Sequence, residues 1–190
     1  MFLKGNAKML VLVGCCYNLI PNESFPLSKA AQIMGLQLSV SQKMLACQSP
    51  LTWTDGQATT NFTKHYYRAL LQLVISRETD FIGDIKVGKL ASDVSSGDFV
   101  QYAVAALTKL NIVVVMAVLA RYQDAYLSRK KELAIFWTLR SMFARVVEWL
   151  ILKDRQVYLE ESNQCSKVEL VALFDPTISP RNTVLLAYKK

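Results

Sequence analysis

The residues best suited to chemistry in this chain lie in one short stretch, Gly14-Cys15-Cys16-Tyr17-Asn18, directly after the run Met9-Leu10-Val11-Leu12-Val13. Apolar, partly β-branched sequence that runs into glycine predicts a fully buried strand with a sharp turn at its carboxyl end. In open α/β sheets, ligands sit outside the carboxyl ends of the strands, so this turn is the first place to expect a pocket. Cys15 or Cys16 could act as a nucleophile if its pKa were lowered. Tyr17 could stack on a flipped-out base. The plain structural alternative is a tight turn of small residues packed under the sheet. Neighbouring side chains on a strand face opposite ways, so the two thiols are expected to serve different surroundings.

Other chemically able residues are scattered. His65 is the sole histidine and stands beside Tyr66, Tyr67 and Arg68, where it could be a general base or an RNA contact, or simply a half-exposed structural residue. A zinc site from Cys15, Cys16, Cys47 and His65 matches no closed four-ligand spacing. The stretch from Gly83 to Leu90 nearly spells a phosphate-binding loop. It places Leu90 where a hydroxyl should hold magnesium, and a helical stretch precedes it in place of a strand, so the match is a coincidence. Glu148, Asp154 and Arg155 interrupt an otherwise apolar helix. Glu148 and Arg155 share a face and could pair, or could tie the helix to Arg181 near the chain's end. The sequons at Asn22 and Asn61 have no secretory context to make them real.

These residues need elements to position them. Ser28 predicts a helix N-cap, with the helix starting near Lys29 and ending by Gly35. Met44 to Gln48 reads as a helical turn or a short strand, and Trp53 to Thr60 as an exposed turn. Apolar residues at three- and four-residue spacing predict helices over Asn61 to Ser76 and, capped by Asp98, up to Leu110. Ile112 to Tyr126 is apolar nearly all round and reads as a buried helix, or a strand in its first half. One long helix, from about Lys130 to Glu161, is too apolar on too many sides for a surface helix. Lys167 to Phe174 and Thr183 to Tyr188 then form an antiparallel hairpin, because the prolines of the connector end both ladders.

Bulk properties bound the class. The chain has 190 residues, 52% apolar and 19% charged, with a net charge of +7 that leans towards anionic partners such as RNA. Four cysteines without paired spacing predict a reduced, intracellular protein, cytoplasmic or nuclear. No run approaches the ~20 apolar residues of a membrane span, so no membrane partner is expected. The amino-terminal apolar run is shorter than the roughly 7–15 residues of an export signal core.

Taken together, several strings resemble the methyltransferase-like protein 25 family and its relatives named for an rRNA adenine dimethylase domain. They are Gly14 to Asn18, Phe25-Pro26-Leu27-Ser28, Met44 to Gln48, His65 to Leu71, Val87 to Leu90, Leu150 to Arg155, and Phe174-Asp175-Pro176 through Asn182. The resemblance implies an α/β, Rossmann-like, S-adenosylmethionine-dependent methyltransferase domain. Residues 1–190 would be the carboxyl-terminal half of one such domain, mostly helical by residue count, with a helical insertion over 58–128. The strand before Gly14 would be central in the sheet and the hairpin would close its far side. Gly14 and Tyr17 would edge the cofactor, and Cys15, Cys16 and Tyr17 would line the methyl-transfer pocket, with RNA as a candidate acceptor. Such enzymes hold the cofactor through a glycine-rich turn after their first strand, and this chain starts downstream of it. The expectation is therefore a fragment that does not bind S-adenosylmethionine alone. The alternative is a non-enzymatic helical interaction or scaffold module, with a protein partner at the bare sheet edge.

Overall fold

The computed structural model describes residues 2–48, 50–83, 85–88, 90 and 97–190. They gather into two compact units, Met1–Trp53 with Leu139–Lys190, and Thr54–Thr138. The insertion expected over 58–128 falls inside the second.

The first unit carries three strands, β1 (Met9–Val13), β2 (Cys165–Ala172) and β3 (Thr183–Lys189). The order is β1-β3-β2, with β3 antiparallel to both neighbours. β1 and β2 therefore run in the same direction on either side of β3. The hairpin of β2 and β3 is the one its alternation and prolines predict. Leu185 and Ala187 of β3 are fully covered and share a cluster with Leu159.

The expectation for β1 is corrected. Its sequence reads as a central, fully buried strand, yet it lies at an edge with Met9, Val11 and Val13 about half exposed. Among the described residues β1 pairs with β3 alone, and the helix that covers this sheet packs on β2 and β3. Apolar composition reports what a strand can tolerate, and its neighbours decide what is covered.

Short helices α1 (Lys29–Ile33) and α2 (Val40–Leu45) follow the strand-end turn. The Ser28 hydroxyl accepts the Ala31 N–H, as the N-cap expectation requires, and Ser39 with Gln42 forms a capping box on α2. The region 44–48 is thus the end of a helix. The long apolar helix expected near the carboxyl terminus is two, α6 (Lys130–Met142) and α7 (Ala144–Glu161), broken at Phe143. It is also not sealed in: Leu139, Met142, Phe143, Val146 and Trp149 remain largely exposed. α7 instead turns Ala144, Glu148, Ile151, Leu152, Asp154 and Leu159 inward.

The second unit is helical. α3 (Asp55–Glu78), α4 (Phe99–Leu110) and α5 (Met116–Tyr126) precede α6 in the chain. Its core holds Tyr66, Leu70, Leu71, Val74 and Ile75 from α3, Phe99, Tyr102, Ala103, Ala106 and Leu107 from α4, and Leu119 and Tyr122 from α5. Fully burying one such large side chain contributes ~1.5–3 kcal/mol. Two expectations change here. The Trp53–Thr60 turn is mostly helix, because Thr54 and Gln57 make a capping box that starts α3 at Asp55. The buried helix over Ile112–Tyr126 begins only at Met116, and Val113 is 92% exposed ahead of it. Asn111 explains the break: it ends α4 in the left-handed region at φ 54, which an Asn side chain tolerates. In the near phosphate loop, Asp84 and Lys89 lie outside the described residues.

Candidate functional site

The turn after β1 is anchored from below by a buried carboxylate. Tyr17, at 4% exposure, donates its hydroxyl to Glu148 Oε1 at 3.0 Å. Arg181 Nη1 donates to the same oxygen at 2.8 Å and to the Ala46 carbonyl at 3.0 Å. Arg145, one turn back on α7, donates to Glu148 Oε2 at 2.7 Å. Its other bonds reach the Pro180 carbonyl at 3.1 Å and Asn182 Oδ1 at 2.8 Å. One carboxylate thus joins the turn, α7 and the β2–β3 connector.

The electrostatics fit a closed structural network. Both oxygens of Glu148 are taken by donors, two of them cationic, which is what a buried charge requires. Burial, followed by the charge and hydrogen bond of Glu148, pushes the Tyr17 phenol far above its usual range and keeps it a neutral donor. The Arg181 guanidinium also lies 5.4 Å over the Tyr17 ring. Gly14 is required at its position for contact reasons: a Cβ there would sit 2.7 Å from Tyr17 Cε1.

Two further carboxylates on α7 hold the segment that follows. Asp154 accepts the backbone N–H groups of Leu27 and Ser28 at 2.9 Å each, and the Ser28 hydroxyl at 2.8 Å. Glu161 accepts from the N–H groups of Lys29 at 2.7 Å and Ala30 at 3.0 Å, where α1 has unsatisfied donors. Lys43, 1% exposed, closes the same region by donating to the Ile20 carbonyl and Asn22 Oδ1, both at 2.9 Å.

The expected site residues therefore part company. Tyr17 is inside, Gly14 is half-buried against it, and Cys15 and Cys16 are exposed above them. The two sulfurs are 3.4 Å apart, which overturns the expectation that the thiols diverge. β1 ends at Val13, so the alternation of a strand no longer applies at Cys15. A hollow of about 820 Å3 in this unit, lined by Asn22, Phe25, Pro26, Gln32, Leu38 and Ser39, does not include the turn. His65 lies in the other unit, with its ring 5.6 Å from that of Trp137. Among the described residues no three His, Cys, Asp or Glu side chains are placed to hold a metal ion. No described helix is long and apolar enough to cross a membrane.

Of the pairings the sequence suggested for Glu148, the one to Arg181 is present. Arg145 is the partner that sequence reasoning missed. Its signal was a cation one turn ahead of a carboxylate on the same helix. Lys43 gave none, since a lysine in a short amphipathic helix ordinarily reaches solvent.

Comparison with known proteins agrees with the resemblance. An alignment 208 positions long, covering 98% of this chain, is 32% identical to a Mus musculus protein named probable methyltransferase-like protein 25 and covers 34% of it. The Homo sapiens protein of that name is 32% identical over an alignment 198 positions long, which covers 94% of this chain and 32% of that protein. No family model matches, and no solved structure does. The chain is thus a relative of methyltransferase-like proteins. Its likeness is to methyltransferase-like protein 25, and it spans about a third of the length of the curated relatives it matches.

The cluster around Glu148 does not fit the cofactor that this kinship brings to mind. An S-adenosylmethionine pocket needs accessible acceptors to take ribose hydroxyls, and this carboxylate is buried under three protein donors.

Proposed function

We propose that this chain is the bracing part of an S-adenosylmethionine-dependent methyltransferase domain, with cofactor binding belonging to the two thirds of its relatives' length that it does not match. One observation carries this reading: strings on which the resemblance rests converge on α7. The turn at Gly14 to Asn18 is tied to Glu148 through Tyr17, Leu27 and Ser28 to Asp154, and Arg181 of the last string to Glu148. A domain that must present a fixed wall to a reacting methyl group needs such bracing, since misplacement by ~1 Å can cost ~100-fold in rate. In this reading Gly14 and Tyr17 brace the wall, Cys15 and Cys16 form its exposed rim, and RNA is the acceptor class favoured by the charge of +7. The terminal antiparallel pair of a Rossmann-like domain corresponds to β2 and β3.

A second reading has its own support. The unit Thr54–Thr138 has a separate core, as a helical interaction module would.

Calorimetric titration of the chain with S-adenosylmethionine tests the first reading. No saturable heat is expected up to about 1 mM, which corresponds to a binding free energy near −4 kcal/mol. Saturation at micromolar concentration would overturn it.

A further inference from the structure

Cys15 and Cys16 are both exposed, and their sulfurs are 3.4 Å apart. The backbone sets this arrangement. Cys16 caps the short 3-10 turn Tyr17–Leu19 with φ −98 and ψ 62, which lies outside the extended region, and so swings its side chain to the same side as Cys15. The turn is fixed underneath. Gly14 abuts the Tyr17 ring, and the Tyr17 hydroxyl is held by Glu148.

The spacing discriminates between kinds of ligand. Two sulfurs bonded to one centre at ~2.3 Å and meeting at about a right angle stand ~3.3 Å apart, whereas a linear two-coordinate centre would hold them at about 4.6 Å. The observed separation suits a pyramidal, three-coordinate, thiophilic centre. We propose that Cys15 and Cys16 form a chelating dithiol that captures a trivalent arsenical in this way. With hydrated phenylarsine oxide, each S–H bond and each As–OH bond breaks and two As–S bonds form. The two thiol protons leave with the two hydroxyls as water, arsenic stays trivalent, and no oxidant is needed.

The protonation of the pair is consistent with this exchange. The hydrogen bond and charge of Cys15 raise the Cys16 pKa, which favours the thiol form of Cys16. Cys47, close to the same turn, donates its thiol to Asn18 Oδ1 at 3.3 Å. This inference is independent of any methyl-transfer role.

The test is titration of the reduced chain carrying Cys47→Ser and Cys165→Ser with phenylarsine oxide, read by intact mass and by free-thiol count. A one-to-one adduct that consumes both remaining thiols and is released by ethanedithiol is expected. Adding Cys15→Ser or Cys16→Ser should weaken capture by ~100-fold or more, because the second sulfur then no longer acts at high effective concentration. Adjacent cysteines can chelate in an unfolded chain too, so the comparison in urea is decisive: the folded protein should bind about 10-fold tighter through its preset turn. Absence of an adduct, undiminished capture by either serine variant, or equal affinity in urea would each overturn the proposal.

Discussion

Glu148 shows how a single side chain can carry an arrangement built from distant parts of the sequence. Its charge is affordable inside the protein because Arg145 and Arg181 reach it from two directions and Tyr17 from a third. Removing the charge while leaving the shape strands two guanidinium groups. Glu148→Gln should therefore destabilise the fold by about 3 kcal/mol, read from the urea midpoint at unchanged m-value. Tyr17 offers a pH handle on the same network. Its folded pKa is raised above the unfolded value, so its contribution is fully present below about pH 10 and is lost as pH rises further. Tyr17→Phe should be less stable than the parent by ~1–2 kcal/mol at pH 7, and the gap should shrink in melts taken from pH 10 to 12. A constant gap would assign the hydroxyl no role in linkage.

At the scale of elements, the legible features were those encoded by neighbours in sequence. Ser28 and Asp98 announced their helices because an N-cap is a local hydrogen bond, and each accepts the N–H three residues on. The Thr54–Gln57 box is equally local and was obscured because Thr54, Asp55 and Gly56 read together as turn residues. Thr54→Ala should cost α3 about 1 kcal/mol and lower the melting temperature of the chain by a few degrees, measured by circular dichroism. The burial of β1 was not legible, since MLVLV carries no information on whether a second strand lies beside it. Nor was the break at Phe143: apolar periodicity continues from α6 into α7 without a sequence marker. The strand-end turn was found as a feature, but its division into a buried Tyr17 and an exposed thiol pair depends on Glu148, 131 residues away.

At the scale of the molecule, covering an exposed apolar edge is the obvious liability. β1 shows Met9, Val11 and Val13, and the Leu139–Trp149 stretch adds large side chains that remain half-exposed. A net charge of +7 opposes self-association at low salt. Raising the salt should screen that repulsion and increase the weight-average mass in sedimentation velocity. Val11→Lys, which places a charge on the edge strand, should suppress the increase. A monodisperse monomer at both salt concentrations would show that this edge does not drive association.

Three carboxylates of α7 also impose a timetable on the ribosome. Glu148, Asp154 and Glu161 hold segments that were synthesised 126 to 132 residues earlier. At ~5–20 residues per second, the amino-terminal part must wait many seconds for its anchors while the helical unit between them can already condense. During that interval β1 has no β3 to pair with, and Asp154 is not there to receive Leu27 and Ser28. A nascent chain of this design exposes its apolar β1 until β3 emerges, so it is the emerging protein, more than the finished one, that would call on a chaperone.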